Sequence, residues 1–221
     1  EFNEAHKLLG ATAHVSTVQH MSHFSDAEDI DPSLSQQQSQ KLLTLSNSLG
    51  EYPISMANSA AIIAHPDTHH DWVRPGIMLY GDDPTQRLSG AQALKPVMNF
   101  KARVIAVRDV AEAEGVGYNR RWRAKTAARI ATVAAGYADG YPRNAPDGTP
   151  VLVNGQRSSV AGRVSMDLMT IDVSHLPTTA IGDEVSLWGE GLPAAEVGKH
   201  CGTISYELFT RITERVDRFY R

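Results

Sequence analysis

Among its 221 residues the chain has one cysteine, Cys201, so it can close no internal disulfide and cannot hold a zinc ion on thiolates alone. The fold must then rest on its core, as in a reducing compartment, and the cytoplasm is the expected location. No apolar run approaches the roughly 20 residues needed to cross a bilayer, and no charged-then-apolar leader opens the chain, so no membrane segment is expected. Excess positive charge is missing too. Lys and Arg number 21 against 25 Asp and Glu, a net charge of -4, which argues against a nucleic-acid partner because affinity for phosphate backbones comes from clustered basic groups. Internal repeats and low-complexity tracts are absent. What is present, 42% hydrophobic and 21% charged residues, suits a globular protein of one large domain or two small ones.

The first third alternates helix and strand signals. Asp31 and Pro32 open a helix over Ser33 to Leu49 that Gly50 ends, with Leu34, Leu42, Leu45 and Leu49 as its apolar stripe. Tyr52 to Met56 reads as a short strand, followed by a helix from Ala60 to Ala64 capped by Asn58. Asp71 to Gly81 places a strand end before the Pro75-Gly76 break. Beyond the polar stretch Asp82 to Leu94, β-branched residues with period-two alternation give five candidate strands: Phe100 to Val110, Arg129 to Ala135, Pro150 to Val153, Leu168 to Val173 and Glu184 to Trp188. Asn154-Gly155 predicts a tight hairpin, and Ser205 is expected to cap a last helix whose buried face is Phe209, Ile212, Val216 and Phe219. The expected fold class is α/β followed by all-β with a terminal helix, divided into residues 1–88 and 89–221. Some 80 residues of β/α units are too few to close a barrel of about 250 residues, so an opening half is expected elsewhere.

Several segments could carry chemistry. Gly136-Tyr137-Ala138-Asp139-Gly140-Tyr141-Pro142-Arg143 sets tyrosines among glycines directly after an apolar strand, where a hydroxyl can be presented at a strand end. Spacing alone equally describes a β-turn with surface tyrosines, and a phenol with an ordinary pKa of about 10 must be tuned to act as a base. Asn58-Ser59 and Gly76-Ile77 offer backbone N–H groups at strand-to-helix junctions, which suits a phosphate, or else simple capping. Arg74 could face a ligand nitrogen or be a solvated salt-bridge donor, and His23 could serve a site or the scaffold. His65, His69, His70 and Asp71 are the densest set of possible metal ligands, but their loop does not promise tetrahedral convergence, so no metal is expected. Cys201 reads as structural.

Six ordered strings are similar to the alanine racemase family: Ser22-His23-Phe24, Ala57-Asn58-Ser59, Asp71 to Ile77 with Leu79-Tyr80-Gly81, Gly136 to Arg143, Gly162 to Asp167, and Trp188 to Gly191. The resemblance implies the later units of a (β/α)8-type barrel, a C-terminal β domain and pyridoxal 5'-phosphate (PLP) as cofactor. The activity it implies is interconversion of L- and D-alanine, supplying D-alanine for peptidoglycan. Tyr137 would move the α-proton on one face of the substrate while a lysine works on the other. Arg74 would face the pyridine nitrogen, and His23 would link that arginine to the tyrosine. Asn58, Ser59 and the amides of Gly76 and Ile77 would form the phosphate cradle. Met166 and Asp167 would line the pocket from the partner subunit of a homodimer. The family's Schiff-base lysine lies in a motif that none of Lys7, Lys41, Lys95, Lys101, Lys125 or Lys199 reproduces, so these 221 residues alone are expected to be inactive. The competing readings are a non-catalytic dimerisation module and a related PLP racemase of other specificity.

Overall fold

The computed structural model describes residues 1–220 and separates into two compact units, Glu1–Leu94 and a second from Lys95 onward. In the first unit the elements run α1 (Phe2–Gly10), β1 (His20–Met21), α2 (Ser33–Asn47), β2 (Ile54–Ser55) and α3 (Ser59–Ala64). β1 and β2 pair in parallel, His20 with Ile54 and Met21 with Ser55, and a further parallel bridge joins Ser55 to Trp72. Parallel neighbours need long crossovers, and α2 is the first of them. The core of this unit gathers Phe24, Leu42, Ile54, Met56 and the small residues Ala27, Ala57, Ala60 and Ala61.

The predicted stripe of α2 is corrected. Only Leu42 of the four leucines is buried; Leu34 and Leu45 are exposed, and the inward face is Ser35, Ser39, Leu42 and Ser46. Two of these serines hydrogen-bond to rings: Ser46 Oγ lies 2.7 Å from His20 Nδ1, and Ser39 Oγ lies 3.0 Å from His70 Nε2. Polar partners on the facing elements reverse the side that hydrophobicity alone would bury. Pro32, not Asp31, occupies the cap position, while Asp31 Oδ1 accepts from Ser33 N at 3.0 Å. α1, which no sequence signal marked, packs His6 and Phe2 against His20, with His6 Nδ1 3.0 Å from His20 Nε2. Burial, reinforced by His6, holds His20 below the usual histidine range. Asn58 does cap α3, its side chain accepting from Ala61 N at 3.0 Å.

The second unit is built from β3 (Phe100–Val110), β4 (Gly115–Val116), β5 (Trp122–Arg123), β6 (Ala128–Val133), β7 (Pro150–Val153), β8 (Gln156–Val160), β9 (Met169–Asp172), β10 (Glu184–Trp188), α4 (Ala194–Cys201) and α5 (Ser205–Arg211). Six strands close a barrel in the order β10-β3-β6-β9-β8-β7, every pair antiparallel, and β4 and β5 form a separate two-stranded ribbon. Five of the six barrel strands overlap the expected segments; β6 runs Ala128–Val133 in place of Arg129 to Ala135, and the shorter β9 leaves Leu168 and Val173 outside. The sixth, β8, is the return arm of the predicted hairpin, where Asn154 and Gly155 take positive φ of 47° and 79° as a type I′ turn demands. Inside the barrel Trp188 meets Phe100 at 4.8 Å and stacks with Tyr141 at 6.0 Å between centroids. Strand alternation delivers such a core, since every second residue faces inward.

The second unit is not all-β. α4 escaped detection because Pro193 opens it and Gly198 interrupts its interior, where helix propensity is weakest. α5 is also shorter than expected: Ile204, not Ser205, is its cap residue, and Ile212 turns extended with φ -60° and ψ 119°. Ile212 is still buried and Val216 packs on the core, but both lie beyond the helix, and Phe219 is exposed. Among the described residues no helix is long and apolar enough to cross a membrane.

Cys201, the last residue of α4, is buried, and that burial pushes its thiol from 9.0 up to about 11. Buried Tyr141 is likewise pushed above the usual tyrosine value, first by desolvation and then by the neighbouring Cys201. The folded form therefore holds protons that the unfolded chain releases earlier: the Cys201 contribution is intact below pH 9 and lost as pH rises toward 11, and that of Tyr141 starts to be lost only above pH 10. Denaturant melts from pH 8 to 11 are expected to show declining stability, and Cys201→Ala should flatten part of that decline; a slope identical in the variant would assign it elsewhere.

Candidate functional site

The cofactor candidates of the first unit lie just past the C-terminal ends of parallel strand segments: His23 after β1, Asn58 and Ser59 after β2, and Arg74 to Ile77 after the Trp72 bridge. Loops at the carboxyl ends of parallel strands are where α/β folds gather ligand groups. Arg74 is the centre of this cluster. Its Nη1 donates to Ser55 Oγ at 2.7 Å and its Nη2 to the Ser22 carbonyl at 2.8 Å. Nη2 also lies 3.3 Å from His23 Nδ1 and 3.4 Å from the Met56 carbonyl. An arginine cannot give up its charge, so His23 accepts through an unprotonated Nδ1. All four partners are neutral, and among the described residues no carboxylate reaches salt-bridge distance of Arg74. Asn58 Nδ2 approaches His23 Nε2 at 3.5 Å, the outer limit of a contact.

Beside the arginine, the buried Ser59 Oγ accepts from Gly76 N at 2.9 Å and from Met78 N at 3.3 Å. Pro75 and Gly76 break the chain so that Ile77–Tyr80 begins a 3₁₀ turn there, and the first amides of such a turn have no acceptor within it. The sequence paired Gly76 with Ile77; on Ser59 itself the second amide is that of Met78. A hydroxyl accepting twice still has its own proton to donate, so hydroxyl and turn amides together can hold an anion.

The second unit brings Tyr137, Met166 and Asp167 together. Tyr137 begins a short 3₁₀ turn, Tyr137–Asp139, just after β6. Its backbone N–H donates to the Ser165 carbonyl at 3.0 Å, and Ala138 N donates to the Met166 carbonyl at 2.9 Å. Gly136 makes that approach possible, since a Cβ there would overlap both carbonyl oxygens. Gly140, at φ +105°, likewise admits the Arg211 carbonyl where α5 ends. This close approach explains why the helix stops: the chain turns extended and ties down, with Thr213 Oγ1 donating to the Ala138 carbonyl at 2.7 Å. The Tyr137 ring is exposed and carries the Arg143 guanidinium 5.9 Å from its centroid. Arg215 Nε meets Asp139 Oδ1 at 2.9 Å while its Nη1 meets Asp167 Oδ1 at 2.8 Å. Thr213 and Arg215 went unnoticed in the sequence, where nothing local links them to a turn so distant along the chain.

The histidine-rich loop disperses its side chains. His65 Nε2 lies 3.1 Å from the Ala27 carbonyl, His69 Nε2 lies 3.0 Å from the Ile62 carbonyl, His70 meets Ser39, and Asp71 Oδ2 accepts from Ile54 N at 2.9 Å. Each group fastens a different part of the first unit.

Residues 1–84 match the family description "Alanine racemase, N-terminal domain" and residues 97–220 match "Alanine racemase, C-terminal domain". The alanine racemase of Chromohalobacter salexigens is 50% identical over 97% of this chain and 59% of its own length. The biosynthetic alanine racemase of Pseudomonas aeruginosa is 49% identical over 97% of this chain and 60% of its own. The crystal structure of the Pseudomonas aeruginosa biosynthetic enzyme superimposes with a TM-score of 0.93 at 47% identity, covering 99% of this chain and 61% of that one. Alanine racemase from Bartonella henselae, solved with covalently bound pyridoxal phosphate, gives 0.86 at 30% identity over 100% of this chain and 62% of that one. The chain thus spans about three fifths of the relatives it matches. The fold is that of part of the N-terminal domain together with the C-terminal domain of these enzymes, and the chain belongs to the alanine racemase family.

Proposed function

We propose that this chain supplies the cofactor-facing and proton-transferring residues of a PLP-dependent alanine racemase that interconverts L- and D-alanine, thereby providing D-alanine for peptidoglycan. The observation that carries this reading is Arg74, a permanent cation held at the strand ends by neutral acceptors alone, with the Ser59 hydroxyl and the turn amides beside it. These groups fit PLP. Its phosphate suits converging hydroxyl and amide donors, and its pyridine nitrogen can accept from a donor that keeps its own proton.

When bound, PLP supplies an electron sink that stabilises negative charge at the substrate Cα. Ser59 and the amides of Gly76 and Ile77 hold the phosphate in this proposal, with Asn58 bracing the turn. Arg74 donates toward the pyridine nitrogen without surrendering a proton, which keeps that nitrogen unprotonated and moderates the sink. His23 receives a hydrogen bond from Arg74, which fixes its ring at the same strand ends. Tyr137 takes the α-proton from one face of alanine and returns it, while a lysine from outside these 221 residues serves the opposite face. Met166 and Asp167 line the pocket that Tyr137 enters, and the site is completed across a homodimer, as the resemblance implies.

Two substitutions in the whole protein that carries this chain test the proposal. Tyr137→Phe is expected to lower alanine racemisation by about 10²- to 10⁴-fold, the usual worth of a general acid or base, with PLP absorbance retained; racemisation near the wild-type rate would refute the assignment. Arg74→Lys keeps the charge but loses the planar fork that reaches Ser55 and Ser22 together, so kcat should fall roughly ten- to a hundredfold and the bound-cofactor spectrum should shift. An unchanged spectrum and rate would remove Arg74 from the site.

A further inference from the structure

We propose that Arg215 is a positioning residue for Tyr137, locking the turn that carries the tyrosine to the loop that carries Met166 and Asp167. The inference rests on the reading of Tyr137 as a proton-transferring group. Asp139, the last residue of the tyrosine's turn, uses both carboxylate oxygens: Oδ2 accepts from Gly136 N at 2.8 Å, and Oδ1 meets Arg215 Nε at 2.9 Å. The guanidinium continues to Asp167 Oδ1 at 2.8 Å, so one planar group spans two segments far apart in sequence. Thr213, two residues earlier, adds its hydroxyl to the Ala138 carbonyl at 2.7 Å and its N–H to the Asp139 carbonyl at 3.4 Å. The segment after α5 therefore straps the turn from one side while the Ser165 and Met166 carbonyls hold it from the other.

The Arg215 and Asp167 side chains are 51% and 53% exposed, and a pair so placed adds little to folding; Asp139 is 14% exposed but keeps the Gly136 N–H on Oδ2 when Arg215 is replaced. Geometry is what they can fix. Proton transfer depends on sub-ångström placement, and a displacement of about 1 Å can cost on the order of a hundredfold in rate. Arginine suits the task because its rigid fork bridges two carboxylates, whereas an ammonium is a point charge that serves one at a time.

The test follows α-proton washout from L-alanine and from D-alanine separately, as initial rates in D2O, in the PLP-loaded whole protein. Tyr137→Phe should slow washout from one enantiomer selectively, because the tyrosine serves one face. Arg215→Met should slow that same enantiomer about ten- to a hundredfold more than the other, with the melting temperature changed by a few degrees at most. Thr213→Val should give a smaller loss of the same one-sided kind. A merely structural role would slow both enantiomers alike, and that result, or no effect, overturns the proposal. Should Arg215→Met fail to fold, Arg215→Lys decides: one-sided loss supports the strap, and a wild-type balance refutes it. If Tyr137→Phe itself slows both enantiomers equally or neither, the reading of Tyr137 fails and the role of Arg215 falls with it.

Discussion

The first unit depends on a charge that has no counter-charge. Arg74 stands at the ends of three parallel strand segments with two carbonyls, a hydroxyl and an imidazole around it, and no carboxylate among the described residues. Neutral dipoles can solvate a guanidinium without cancelling its field, so that field remains available to whatever lies beyond the strand ends. A carboxylate in the place of Ser55 would fix the side chain as well but would spend its charge. The parallel pairing is what makes the arrangement possible, because it sets Ser22, Ser55 and Met56 at one end of the sheet and lets one side chain reach all three.

The second unit solves a different problem, which is to hold an exposed tyrosine still. A closed antiparallel barrel supplies the rigid base, and Tyr137 stands at the exit of β6, one of its strands. Two glycines then let backbone meet backbone on both sides of the turn, Gly136 against Ser165 and Met166, Gly140 against Arg211. Contacts between main chains leave few rotamers to average over, so the position of the turn is set by the fold and not by side-chain packing. The early end of α5 belongs to the same device: a helix continuing past Arg211 could not deliver Thr213 and Arg215 to the turn.

Much of this was legible in the chain because the signals were local. Strand alternation marked the barrel segments, Asn154-Gly155 marked a hairpin whose twist demands positive φ, and Asn58 marked a cap that the structure contains. The readings that failed depended on distant partners. Hydrophobicity placed Leu34 and Leu45 inward on α2, but His20 and His70, contributed by other elements, draw the serine face in instead. Periodicity carried α5 through Phe219 because it cannot sense that Gly140 leaves room for the chain to turn away. Within the candidate site, single residues such as His23, Ser59 and Tyr137 stood out through their motifs. Arg215 did not, since an arginine near a chain's end resembles any other until its two aspartates are in place.

The serine face of α2 has a consequence for how that helix is seated. An apolar stripe can slide along a greasy surface at little cost, because dispersion and burial vary smoothly with displacement. Hydrogen bonds do not, since they weaken steeply once distance and angle depart from their optimum. With Leu42 as the one large apolar residue on its buried face, α2 is held by two serine–imidazole bonds set seven residues apart, Ser39 to His70 and Ser46 to His20. They act as a vernier, fixing the axial register of the crossover helix and, through His20, the strand on whose far end His23 sits.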